Sequence, residues 1–327
     1  MILAGDIGGT KTNLAIFELR DNVLSVVAQH QFPSREFSSL NEVITLFMQK
    51  SSLPSIDAAC FGIAGPVIDG RCRTTNLPWD IATAELQAHL GIEKVRLLND
   101  LEATAYGMLY VPDDEFVDLN PKGRKVDGNR AVIAAGTGLG EAMLYYDGNV
   151  YYPIGSEGGH CDFAPLTLQQ DTLLKWMRNR YPGHVSFERI LSGPGIYTLY
   201  EFLAEIDFAA QPTSMLNIPE GKDKSAMVSE CALKEYNPLC MEALRLFAEI
   251  YGAEAGNLAL KSMSLGGVYI GGGIAPKILS VLSNNHFMNG FLSKGRFNEM
   301  LQAMQVKISL NPETALLGAA YYARDRL

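Results

Sequence analysis

Apolar runs separated by glycine- and proline-rich breaks pattern this chain, and their periods predict an α/β protein. The segment "ILAGDIGGTKTNLAIFELRDN" reads as an apolar strand, a glycine/threonine loop, an alternating strand and a turn at Asp21-Asn22. In "SSLNEVITLFMQKSSLP" the apolar positions Leu40, Val43, Ile44, Phe47 and Met48 fall on one helical stripe. Ser39 and Glu42 predict a capping box for that helix, and Pro54 follows its end. "AACFGIAGPV" predicts a buried strand that breaks at Gly65-Pro66, "EKVRLLND" a further strand, and "LEATAYGMLYV" a helix.

The plan then repeats. After a stretch at 111–130 rich in Pro, Asp, Gly and Lys, which marks the region of a domain junction, "RAVIAAGTGLGEAMLYYDGN" again gives strand, loop, strand and turn. Two halves that each open on a hairpin around a Gly/Thr loop predict a duplicated α/β domain with a cleft between the copies. "NPLCMEALRLFAEIYGAEAGNLALKSM" predicts a long helical region whose small residues at 252, 253, 255 and 256 suit close packing. "GGVYIGGGIAP" reads as a strand, three glycines and a helix start, and "PETALLGAAYYARDRL" as a last helix with Pro312 near its N-terminus.

At 327 residues the chain exceeds what one core usually serves, which favours two domains. It is 47% hydrophobic and 19% charged, with no apolar run near the roughly 20 residues of a membrane span. "MILAGDIGG" lacks a basic flank, so no signal peptide is expected there. A net charge of −9 without a Lys/Arg cluster disfavours nucleic-acid and anionic-membrane partners. Five cysteines with no Cys-x-x-Cys predict a reduced, cytoplasmic protein.

Glycine loops bring backbone N–H groups close to a ligand, as a phosphate cradle needs. Neither loop is a P-loop or a dinucleotide fingerprint, because a strand follows each. For one loop a tight hairpin turn is the simpler explanation; two loops, each heading a half, point towards phosphate binding. Asp6 beside the first either serves Mg²⁺ or bonds the loop's own N–H groups. At "NDLEAT", Asp100 is either the N-cap of a helix or a general base for a hydroxyl, with Asn99 orienting the substrate. The stretch "GSEGGHCDFAP" gathers Glu157, His160, Cys161 and Asp162, which suit a metal or a polar small molecule equally.

Taken in order, "GDIGGTKTNLAIF", "NDLEATAYG", "AAGTGLGEA", "GSEGGHCDFAP", "HVSFERILSGPGIYTLY", "GGVYIGGGIAPK", "KGRF" and "LLGAA" resemble the bacterial glucokinase family of the hexokinase/actin-like ATPase superfamily. The resemblance implies a two-domain actin-like ATPase (hexokinase/ribonuclease H-like) fold with an interdomain cleft. It implies a small α/β domain over 1–110 plus 312–327 and a large one over 111–311. It also implies ATP-dependent phosphorylation of D-glucose at the 6-hydroxyl, with Mg²⁺. Asn99, Asp100, Glu157, His160 and Glu188 would hold the sugar, with Asp100 as base. Gly8, Gly9 and Thr10 of the first loop and Gly136, Thr137 and Gly138 of the second would hold phosphates. Gly271, Gly272 and Gly273 would lie against the adenosine, Asp6 would act on the Mg²⁺ side, and a homodimer is the expected assembly.

Relatives in the ROK family resemble the chain in its loops and bind structural zinc through a histidine and a cysteine cluster. Here the next cysteine after Cys161 is Cys231, about seventy residues on, so no metal site is expected. Cys161 is expected to be a small buried residue and Asp162 to fix the loop. Lys11 departs from the family pattern and either contacts the γ-phosphate or lies in solvent. The alternative functions are a kinase for another hexose or one using polyphosphate, and a non-catalytic sugar sensor. A regulator is expected to carry a DNA-binding extension, and the first predicted strand starts at residue 2.

Overall fold

In the computed structural model, which describes residues 1–51, 55–74 and 76–327, the apolar runs pair into two large sheets. The predicted stop at Pro54 lies outside the described residues. The chain forms two compact units, one of residues 1–115, 142–155 and 311–327, the other of residues 116–141 and 156–310.

The first unit carries β1 (Ile2–Ile7), β2 (Lys11–Arg20), β3 (Val23–Pro33), β4 (Ala58–Ile63), the small pair β5 (Arg71–Arg73) and β6 (Asp80–Ala82), and β7 (Val95–Asn99). Its main sheet runs β3-β2-β1-β4-β7, with β1 antiparallel to β2 and parallel to β4. Asp21 and Asn22 turn the β2–β3 hairpin with φ of 48° and 65°, the left-handed pair that a tight two-residue turn demands. Its helices are α1 (Leu40–Ser51), α2 (Thr83–Leu90), α3 (Asp100–Gly107) and a C-terminal helix (Thr314–Arg326). Leu3, Ile7, Leu14, Ile16, Phe47 and Phe61 are sealed in its core. At α1 the Ser39 hydroxyl accepts the Glu42 N–H at 3.3 Å, but Glu42 reaches back to the Ser38 N–H, at 2.8 Å, one residue earlier than a capping box requires.

The second sheet runs β11-β10-β9-β12-β13-β8. Its strands are β8 (Phe116–Asp118), β9 (Arg130–Ala135), β10 (Leu139–Tyr146), β11 (Tyr151–Ser156), β12 (Val268–Gly271) and β13 (Val306–Ser309). Strands β9 and β13 flank β12 in parallel, and β8 closes the edge antiparallel to β13. Apart from β8, the spatial order matches that of the first sheet, so the repeated plan is a repeat of topology. Helices α4 (Leu168–Arg180), α5 (Gly193–Glu205), α6 (Lys224–Lys234), α7 (Pro238–Ser262) and α8 (Asn285–Leu292) belong to the second unit. The predicted long helical region is α7, and α8 packs against its small residues.

In the first unit α3 meets the C-terminal helix backbone to backbone. A β-carbon on Gly318 would stand 1.8 Å from the Ala103 carbonyl oxygen, which cannot rotate away. Gly318→Ala should therefore cost about 1–3 kcal/mol by overpacking, read as a lower urea midpoint with an unchanged slope.

Candidate active site

The first loop is a hairpin turn closed by the Gly8 N–H on the Lys11 carbonyl, 2.9 Å. Two residues that no local pattern marks hold it. The Ser34 hydroxyl donates to the Gly8 carbonyl at 2.8 Å and pairs with the buried Thr12 hydroxyl at 2.9 Å. Asn76 lies over Gly9 so closely that a β-carbon there would be 2.6 Å from its own. Thr10 is exposed, as is Lys11. Asp6 lies one residue before the end of β1, opposite Asn13; burial pushes its carboxyl up, and the Asn13 amide partly offsets this.

Asn99, not Asp100, caps α3. Its backbone is extended at φ −62° and ψ 150°, and its Oδ1 accepts the Leu101 N–H at 2.8 Å. Glu102 completes the capping box by accepting the Asn99 N–H at 2.9 Å and also takes the Gly155 N–H at 3.2 Å. The Asn99 amide donates one N–H to the Gly65 carbonyl, 3.0 Å away, leaving its second N–H for another acceptor. Asp100 is the first helical residue, where the helix dipole favours a negative charge, and its Oδ1 accepts the Leu101 N–H at 2.9 Å. The cap reading of Asp100 is thus corrected.

In the second unit Glu188 joins two of the predicted clusters. Its Oε2 accepts the Leu139 N–H at 3.0 Å, directly after Gly138, and its Oε1 lies 4.0 Å from His160 Nε2. A β-carbon on Gly138 would stand 2.4 Å from that carboxylate, so a side chain there would displace it. Thr137 is exposed at the tip, and the Gly193 N–H donates to the Gly136 carbonyl at 2.8 Å. Gly272, at φ 83°, brings the triple glycine of 271–273 against the Ala135 backbone, beside the same loop. Tyr251, fully buried in α7, fixes the end of β9 by accepting the Ala135 N–H at 3.1 Å.

The "GSEGGH" segment makes a single 3₁₀ turn over Gly158–His160, closed by the His160 N–H on the Glu157 carbonyl at 3.0 Å. Gly158 and Gly159 are buried, while Glu157 and His160 stay accessible. Asp162 lies 3.0 Å from His184 Nε2 and pairs with Ser186, which ties the loop down. Cys161 is exposed, against expectation, because Phe163 takes the buried position two residues on. A cavity of about 340 Å³ is lined by His160, Arg180, Tyr181, His184, Ser186 and Glu188. Among the described residues no three His, Cys, Asp or Glu side chains converge as a metal cluster.

A family profile described as glucokinase matches residues 3–326. The chain belongs to the glucokinase family. It is 39% identical to a glucokinase of Nostoc punctiforme over 99% of this chain and 98% of that one. The crystal structure of a glucokinase from an Antarctic psychrotroph superposes with a TM-score of 0.87 at 31% identity, covering 99% of this chain and 98% of that one. A ROK-family glucokinase from Streptomyces griseus, solved in complex with glucose and AMPPNP, covers 99% of both chains at 20% identity and a TM-score of 0.67. That likeness concerns the fold, the two-domain actin-like ATPase fold that glucokinases and ROK sugar kinases share. No helix among the described residues is long and apolar enough to cross a membrane.

Removing the α3 cap tests this assignment. Asn99→Ala should destabilise the protein by about 1–2 kcal/mol, since a cap and a bond to Gly65 are lost together. Asp100→Asn should shift the urea midpoint far less, and equal losses would return the cap to Asp100.

Proposed function

We propose that this chain phosphorylates D-glucose at the 6-hydroxyl with ATP, giving glucose 6-phosphate and ADP. The observation that carries the reading is the match to glucokinases along essentially the whole chain. Asp100 accepts the proton of the 6-hydroxyl as its oxygen attacks the γ-phosphorus, and Asn99 orients the sugar through its remaining amide N–H. Glu157, His160 and Glu188 bond the other hydroxyls. Hydroxyls donate and accept at once, so two carboxylates and an imidazole suit them.

The loops Gly8–Gly9–Thr10 and Gly136–Thr137–Gly138 cradle the phosphates through backbone N–H groups, and Gly271, Gly272 and Gly273 face the adenosine. Asp6 fits Mg²⁺: its hard oxygen donors sit where burial disfavours a lone negative charge, a penalty a divalent cation removes. When bound, that ion neutralises charge on the transferring phosphates. The lack of pairing among all five cysteines supports a reduced, cytoplasmic setting. We take the working form as a homodimer; sedimentation equilibrium should give about twice 35.7 kDa, and a monomer mass would exclude it.

The test is glucose-dependent ADP release coupled to detection of glucose 6-phosphate across a panel of sugars and donors. No turnover with glucose and ATP would overturn the reading. Asp100→Asn should lower kcat roughly 100- to 10,000-fold while glucose still binds, and an undiminished kcat would remove Asp100 as the base.

A further inference from the structure

Under the Gly158–Gly159 turn lies a carboxyl pair that the chemistry above leaves unused. Glu141 in β10 is 1% exposed and Glu254 in α7 is 0% exposed. The Oε1 atom of each has no hydrogen-bond partner among the described residues. A β-carbon on Gly158 would stand 2.1 Å from Glu141 Oε2, so the backbone of the turn rests directly on that carboxyl group. The Gly158 N–H is held separately by the Ser156 hydroxyl at 2.9 Å.

The groups around the pair are few. Asn257 Nδ2 donates to Glu254 Oε2 at 2.7 Å, and Lys261 Nζ lies 3.6 Å from Glu254 Oε1, beyond hydrogen-bond reach. Lys294, half-buried, also faces Glu254. The Tyr251 hydroxyl feels the charge of Glu141 but is already bonded to the β9 backbone. Two buried carboxyls side by side cannot both ionise cheaply, and a shared proton settles the conflict. Lys261 acts on both carboxyls, but only Glu254 also has Lys294 and the Asn257 amide, which makes it the charged partner and Glu141 the one that keeps the proton. Burial, with Glu254 adjoining, pushes the Glu141 carboxyl up to about 8.

We propose that neutral Glu141, donating its proton to Glu254, is a positioning residue for sugar recognition: it supports the turn whose two ends are Glu157 and His160. The inference rests on those two residues binding glucose. When Glu141 ionises, its charge repels Glu254 directly beneath Gly158, which has no side chain to cushion the shift. The turn then moves, and with it the two groups that grip the sugar.

The experiment follows kcat and KM for glucose from roughly pH 6.5 to 9.5 in the unmodified protein, Glu141→Gln and Glu254→Gln. In the unmodified protein KM should rise several-fold above about pH 8 while kcat changes far less. Glu141→Gln keeps an N–H donor and cannot ionise, so its KM should stay flat. In Glu254→Gln the like charge is gone and the break should move to lower pH. A KM profile in Glu141→Gln that follows the unmodified protein overturns the inference and leaves the kinase reading standing. Absence of glucose turnover in the unmodified protein overturns both.

Thermal melting separates positioning from folding. A raised Glu141 means the folded state holds a proton that the unfolded chain releases, so stability falls as pH climbs from the ordinary carboxyl range to about 8. Glu141→Gln escapes that loss and should melt above the unmodified protein at about pH 9. A lower melting temperature there would also overturn the proposal.

Discussion

The bond from the Leu139 N–H to the Glu188 carboxylate is the constraint on which the second unit's chemistry depends. One oxygen holds the Gly-Thr-Gly loop while the other points towards His160, so that loop and the Gly158–His160 turn share a side chain. A carboxylate that accepts a backbone N–H is fixed in orientation. At residue 138 any side chain would occupy the space of the carboxylate and displace it.

In the first unit, a helix start does comparable work. The capping duty at α3 falls on Asn99 and Glu102, which leaves Asp100 on the first turn with its Oδ1 oriented by the Leu101 N–H. Spending Asn99 on both Oδ1 and one N–H locks its rotamer without exhausting its donors. Ser34 and Asn76 play the same part for the Gly8–Gly9 turn, from positions distant in sequence.

That distance marks the limit of what the residue pattern alone discloses. Hairpins around glycine loops, the Asp21-Asn22 turn and the long helix α7 were legible because period and turn chemistry are local. Strand β3 was missed because most of it is exposed, with Val23 and Val26 more than half so, and no apolar alternation marks it. Helix α2 is short, with Leu86 its only buried residue, and leaves little trace. At residues 99 and 100 either side chain is a good cap, and only the extended backbone of Asn99 decides. Cys161 was expected inside on residue type, whereas the turn placed Phe163 there. Ser34, Asn76, Tyr251 and Glu141 act through space, and nothing in their neighbourhoods announces it.

If the Gly158–His160 turn holds glucose as proposed, its polarity carries its own selectivity. Glu157 and Glu188 offer acceptors, and Glu188 is already ordered by the backbone, so on that reading a neutral polyol would satisfy them by donating hydroxyl protons. A substrate lacking one of those hydroxyls would leave a carboxylate without the bond the site is built to make. A substrate carrying phosphate at that end would set its charge against two carboxylates, and such juxtapositions cost several kcal/mol at close range. On the proposed reading, the groups that hold an unphosphorylated sugar would therefore also dictate which end of it they can hold. The hydroxyl destined for phosphorylation would then lie away from Glu157 and Glu188.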